Sequence, residues 1–447
     1  MIRSACLASA VVCLGIAYGH PASAAARSFG TPQALTAKGY AGLIGLGVDS
    51  AGNGLMAWTD AGSYYSTRPA GGAWSAPASL YVGGGTPIMH TLASGSATIV
   101  SWSQVGGIWS IDYTPGGSWT APYLIVNAPD IVTGTRTRAP QVEFVEDARG
   151  DQIVVFEEYV AGGTAIVAIR RPAGGTWGPQ ETVATSAAYG NISLAGSAIG
   201  GNGDAIVAFE PFATVCSVRY CNEVNFTVHV ARENARATKW RDSGALTPVS
   251  SEYYVETVMD AAGRAGLLVQ NDFYAPISAS TQGPLGGAWS PFVTAFADPG
   301  NDAVVWGQGT FGANGASIAF TAFGTPGAEA VLDGSLATNA WPALTLVSAS
   351  DTQSVQDALS FTESGNGSAI AEWPDADFSM RVATRPGIGR PWTTPVTIAP
   401  GGACNVGGYL CSSPAGVAIN AKGDALAAYI QTDSSATYHY LYVANTE

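Results

Sequence analysis

Lysine is nearly absent from this sequence. Only Lys38, Lys239 and Lys422 occur, and basic residues form no run anywhere. In all, 19 basic residues face 33 acidic ones, for a net charge of -14. That balance argues against nucleic acid and against anionic membrane surfaces as partners. Charge of either sign is scarce, at 12% of residues. The chain is nonetheless not of the disordered type, because apolar and aromatic residues are plentiful and 56 residues are glycine. Glycine with β-branched and aromatic residues reads as an all-β globular protein.

Long apolar runs are missing beyond the first residues, so no later stretch reads as a membrane span. The beginning reads as an export leader: Arg3 supplies the positive end, "ACLASAVVCLGIAYG" a short apolar core, and "ASA" (Ala22–Ala24) the cleavage site. Val12 before Cys13 is not the small residue a lipid anchor requires. Cleavage after Ala24 leaves residues 25–447 as one exported domain, secreted or periplasmic, and expected to be monomeric.

Cysteine is sparse too. After the leader there are Cys216, Cys221, Cys404 and Cys411. Two close pairs in an exported chain read as local disulfides, Cys216–Cys221 and Cys404–Cys411. A four-cysteine zinc site is the alternative, although these spacings are looser than a zinc knuckle. The patterns of zinc peptidases, serine hydrolases and phosphate loops do not occur. Of the histidines, His229 ("FTVHVAR") and His439 ("YHYLYV") fall inside strand-like runs and are expected to be structural.

What the sequence has is a repeat. The first unit is "LIGLGVDSAGNGLMAWTDAGSYYSTRPAGGAWSAPASL" (Leu43–Leu80). It divides into short runs with turn chemistry between them: "DSAGN" after the first and "PAGG" after the third. A turn glycine followed by an aromatic recurs as Gly52/Trp58, Gly95/Trp102, Gly150/Phe156, Gly203/Phe209, Gly300/Trp306, Gly367/Trp373 and Gly423/Tyr429. Gly263 is followed by Val269 instead. The second turn recurs as "RPAGGTW" (Arg171) and "RPGIGRPW" (Arg385), but units four and six are degenerate there. A four-stranded unit repeated in this way predicts a β-propeller, with eight blades; seven stays open because unit six is the weakest.

The last unit lacks a fourth strand. "FGTPQAL" (Phe29–Leu35) has the cadence of the fourth strands "WSAPASL" (Trp74–Leu80) and "WTTPVTI" (Trp392–Ile398). Phe29–Leu35 is therefore expected beside residues 438–444, closing the ring and removing an open edge.

In such a blade the two tight turns share one face, and the loops that differ from unit to unit share the other. Both cysteine pairs fall in those longer loops. A ligand is expected there, since binding residues concentrate on variable loops. A column two residues beyond each strand-b aromatic reads Asp60, Gln104, Glu158, Pro211, Asn271, Gln308, Asp375 and Gln431. It suits strand-end hydrogen bonding or a polar rim, with Glu157 and Glu210 adding acidity. Asp272, Tyr253, Tyr254 and Tyr274 are further binding candidates, the tyrosines as sugar-stacking rings. Seven residues before the turn glycine, two units carry carboxylates, Glu143 and Glu256. Placed in the central channel they suit general acid/base chemistry on a glycan, or a structural cation or water. Arg136, Arg138 and His90 are their candidate partners. No cofactor is otherwise implied.

The units "DSAGNGLMAW…RPAGGAWSAP" and "DARGDQIVVF…RPAGGTWGPQ" resemble repeats of exported bacterial propellers of the broad sialidase-like type, over nearly the whole mature chain. The sialidase Asp-box is missing, and no arginine triad or Tyr–Glu nucleophile pair matches, so sialidase activity is not implied. The chain also looks like propeller lectins, whose binding loops repeat where these differ. The expectation is an exported propeller binding a carbohydrate or another extracellular ligand. A glycoside hydrolase or polysaccharide lyase using the channel carboxylates is the alternative, and a purely structural interaction module the third.

Overall fold

The computed structural model describes residues 28–36, 42–82, 85–103, 107–127, 142–161, 163–216, 221–235, 239–248, 254–271, 276–296, 304–312, 315, 317–323, 328–349, 359–375, 379–399, 412–432 and 439–446. These form eight small antiparallel sheets, each blade ordered from strand a inside to strand d outside, in an eight-bladed β-propeller. In blade one the strands are Gly42–Val48, Gly54–Thr59, Ser63–Arg68 and Ala78–Leu80. Blade four carries an extra strand, Cys221–Val224, which pairs with an unusually long strand b, Ala205–Cys216.

The first turn explains why the repeat is so regular. Asp49 Oδ1 accepts from Ala51 N at 2.9 Å and Asn53 N at 2.8 Å, and Gly52 N returns to Asp49 O. Asp147, Asp260 and Asn420 cap their own turns in the same way. The turn then needs a left-handed residue, and Gly52, Gly95, Gly150, Gly203, Gly263, Gly315, Gly367 and Gly423 all have φ between 67° and 92°.

That series corrects the reading of unit six. Its turn glycine is Gly315, not Gly300, and strand b is Ser317–Phe323. Trp306 and Gln308 lie in the innermost strand, Val304–Phe311. The missed signal was "NAWPAL" (Asn339–Leu344), which has the strand-d cadence with Asn339, at φ 48°, in place of the glycine of "GGAW".

Burial occurs between blades rather than within them. Eight apolar clusters fill the eight seams, each drawn from two neighbouring sheets. The strand-d tryptophans Trp74, Trp119, Trp177, Trp240, Trp289, Trp341 and Trp392 each pack into the seam with the preceding blade. Blade eight has no such tryptophan, and Phe29 packs in that seam instead. The one-residue-longer strand b of blade two turns Trp102 toward blade three, because side chains alternate along a strand.

The N-terminal strand closes the ring as expected. Gln33 and Ala34 pair with Val443 and Tyr442, and Phe29 bridges Thr446. Leu35 is buried, and Leu441 N donates to Thr36 Oγ1 at 2.9 Å. On the tight-turn side, Asn420 Nδ2 donates to Asp49 O at 2.8 Å, joining blade eight to blade one.

Arginines at the ends of strand c fasten other seams. Arg385, fully buried, donates to Asp333 Oδ1 and Ser317 Oγ of blade six, each at 2.6 Å, beneath the Trp392 ring. Arg171 grips both carboxylate oxygens of Asp112 in blade two, at 2.7 and 2.6 Å. Paired in this way, the charges replace lost water with fork-shaped hydrogen bonds. At the hub the strands crowd. A Cβ on Gly45 would lie 2.6 Å from the Cβ of Met89, so glycine is required there.

Candidate functional site

Each strand a runs from the variable-loop face toward the tight turn, so its first residues stand nearest the loops. Glu143 is the second residue of strand a in blade three, Val142–Glu146. Glu256 is the third in blade five, Tyr254–Met259. Between them runs strand a of blade four, Asn191–Ile199, which offers Gly196 and Ser197. The two glutamates therefore belong to different blades and share one region of the hub.

Neither has an ionic partner among the described residues. Burial pushes the Glu143 carboxyl up to about 7, with Ser197 pulling the other way. Ser197 Oγ itself makes no hydrogen bond of good geometry, and Glu143 Oε2 has none either. Burial, and then the charge of Glu143, push Glu256 up to about 8 against a hydrogen bond with the Thr257 backbone. Two desolvated carboxyls raised to about 7 and 8 retain protons near neutral pH, so one can donate while the other accepts. A crevice of about 10 Å³ beside Glu256, lined by Tyr254, Leu268, Gln270 and Ile277, has room for roughly one water.

His90 is not their partner. Its ring meets Phe144 edge-on at 5.0 Å, and burial keeps the imidazole below its ordinary range. Phe144 and Glu143 are consecutive in a strand and point to opposite sides, so the ring that meets Phe144 is turned from the carboxylate. Arg136 and Arg138 lie outside the described residues, as do Asp272, Tyr253, Tyr274, Cys404 and Cys411. Cys216 and Cys221 face each other across a hairpin register.

The acidic candidates lie on separate blades: Asp60 on blade one, Glu157 and Glu158 on blade three, Glu210 on blade four and Asp375 on blade seven. Asp60 starts the blade-one b–c turn, its Oδ1 accepting from Ala61 N at 2.8 Å. Glu157 Oε2 accepts from Leu194 N across the seam at 3.4 Å. Burial raises Glu158, against a hydrogen bond with Gln180. Glu210 is buried in the long strand b of blade four. Asp375 pairs with Arg381 at 3.0 Å, both partly exposed. Tyr254 is buried against the crevice.

Sequence reading missed a cluster on blade four. His229 Nδ1 lies 3.0 Å from Asp242 Oδ2, and Tyr189 OH donates to the same oxygen at 2.8 Å. Nothing in the spacing of Tyr189, His229 and Asp242 announces it, because the three come from a connection, a strand c and a strand d.

No family model matches the chain, and no curated protein matches it by sequence. Solved structures of similar shape include an ulvan lyase of a polysaccharide lyase family bound to a -[GlcA(1-4)Rha3S]- saccharide. It is 11% identical with a TM-score of 0.45, over 82% of this chain and 96% of that one. The BP39L lectin of Burkholderia pseudomallei is 14% identical with a TM-score of 0.47, over 82% of this chain and all of that one. The Aleuria aurantia lectin, in complex with a fucosylated saccharide, is 10% identical with a TM-score of 0.40, over 85% of this chain and all of that one.

Proposed function

We propose that this is an exported ligand-binding propeller that takes a carbohydrate, or another extracellular ligand, on its variable-loop face. One observation carries the reading: the contrast between the two faces. The tight-turn face is built from eight turns sharing one left-handed glycine, and four of them repeat the same side-chain cap. On the opposite face the described connections differ, from a tight turn at Asp60 to the hairpin of Ala205–Cys216 with Cys221–Val224. A scaffold uniform on one face and individual on the other suits a single composite site. The overall negative charge favours neutral or cationic ligands over polyanions. A glycan array probed with the labelled protein tests this. Binding to a defined neutral glycan class supports it, and an empty array overturns the carbohydrate reading.

The Glu143–Glu256 pair favours a second reading, a carbohydrate-active enzyme, because two carboxyls that hold their protons to about pH 7 and 8 can act as acid and base. Incubation with the glycans bound, followed by product analysis, separates the two. Turnover lost in both Glu143→Gln and Glu256→Gln supports the enzyme; binding without any product supports the lectin-like role.

A further inference from the structure

His229 occupies the place opposite the strand-b aromatic Phe209. The same place holds Tyr64 in blade one, Ile108 in blade two, Val167 in blade three, Ser278 in blade five and Arg381 in blade seven. The scaffold accepts apolar, hydroxyl and cationic side chains there, so the fold does not demand an imidazole. Where packing is the whole role, the place is filled simply: Tyr64 stacks on Trp58 at 6.1 Å. In blade four the ring lies 5.3 Å from Phe209 and also acquires two polar partners.

Those partners fix its chemistry. Nδ1 donates to the Asp242 carboxylate at 3.0 Å, so that in the neutral ring Nε2 carries the lone pair. No described residue bonds Nε2. Tyr189 OH donates to Asp242 Oδ2, and the Tyr189 ring stands edge-on to His229 at 5.3 Å. Burial opposes the charge on Asp242, but hydrogen bonds from His229 and Tyr189 hold it below its usual range. Tyr189 ends the helix Ser186–Tyr189, in the connection from blade three to blade four on the variable-loop face. Thr164 N donates to Ser186 Oγ at 2.9 Å, tying that helix to the blade-three hairpin, whose tip carries the exposed Tyr159. The side chains of His229 and Asp242 keep 10% and 24% of their surface open.

We propose that His229, oriented by Asp242 and Tyr189, accepts a hydroxyl of a neutral saccharide at the mouth of the seam between blades three and four, with Tyr159 beside it as an aromatic platform. The acidic neighbours Glu157 and Asp242 disfavour an anionic sugar there. This deepens the carbohydrate reading above and rests on it.

The test uses the neutral oligosaccharide that binds best on the array. Calorimetry measures its affinity for the wild-type mature chain and for His229→Gln, Asp242→Asn, Tyr189→Phe and Tyr159→Ala, with melting temperatures taken alongside. The expected result is about tenfold weaker binding for His229→Gln and Asp242→Asn, matching the loss of one good hydrogen bond. Tyr189→Phe keeps the ring and should lose less. Saturating sugar should also shift the His229 Nε2 nitrogen resonance of the wild type. Unchanged affinity in His229→Gln and Asp242→Asn overturns this site and leaves the carbohydrate reading standing. A fall in affinity only in step with melting temperature, with no nitrogen shift, also overturns it. An array without hits overturns both.

Discussion

Across the hub, from blade three to blade five, the carboxylate of Glu143 raises that of Glu256. Nothing in the chain order puts them together: the ring does, by setting the second residue of one innermost strand near the third of another.

That relation predicts a directional coupling. In Glu143→Gln the charge that raises Glu256 is gone, so Glu256 should titrate below its wild-type value of about 8, though still above the ordinary carboxyl range because burial remains. Carboxyl-carbon NMR with labelled glutamate reads this directly. A Glu256 midpoint unmoved by the substitution would mean that the two groups do not interact.

The pH dependence of stability follows from the buried glutamates together. Glu143, Glu146 and Glu233 are raised to about 7 and Glu256 to about 8, from an ordinary 4.5, with burial the first cause in each. Above pH 4.5 the unfolded chain releases these protons while the folded chain keeps them. Their contribution is therefore whole below that point and is lost as pH rises through 7 to 8. Urea midpoints should fall between pH 5 and pH 8.5. A midpoint that rises over this range would contradict the shifts.

Glu372 isolates the effect in one side chain. It is fully buried in the seam between blades seven and eight, neither oxygen has a hydrogen bond, and burial raises it well above its ordinary value. Its surroundings are Ile370, Val382, Ala427 and the Tyr429–Tyr442 stack. Glu372→Met should stabilise the protein by about 1–3 kcal/mol, because it removes an unsatisfied polar group at similar volume. The gain should grow with pH. Chemical denaturation at pH 6 and pH 8 checks both the sign and the trend.

Closure by the N-terminal strand predicts a large effect from a small segment. Leu35→Ala should cost about 2 kcal/mol through the cavity it leaves. Removing residues 25–36 should expose the edge of strand His439–Asn445 and promote self-association. Light scattering and a denaturation series on the two variants give the readout; a monomeric truncation of unchanged stability would show that the strand does not seal the ring.

The ring was legible because its turns obey local rules. An aspartate cap, a left-handed glycine and a tryptophan after "GG" need only neighbours in sequence to act. Unit six is hard to read because Gly312 stands where the capping aspartate would be, while Gly300 offers the expected spacing to an aromatic, Trp306. The hub carboxylates could be counted out from the turn glycine, since strand a ends at Glu146 before Gly150 and at Met259 before Gly263, the same spacing in both blades. Their coupling could not, because it depends on how the hub brings separate blades together. Tyr189, His229 and Asp242 left no trace, since a cluster drawn from a helix, a strand c and a strand d has no period. Phe29 was legible as an ending; that it also stands where seven other blades place tryptophan emerged only from the packing.

The hydrogen bond from Leu441 to Thr36 joins residues 405 positions apart. No earlier blade can stand in for that contact. Thirty or so residues from the end of synthesis, the first strand still has no partner, and the two seams that flank blade eight are still unfilled. Ring closure carries almost the longest loop the chain can form, which places it among slow, non-local steps. On the exported reading proposed above, closure would follow the passage of the last residues across the membrane, and until then the strand His439–Asn445 would present a bare edge.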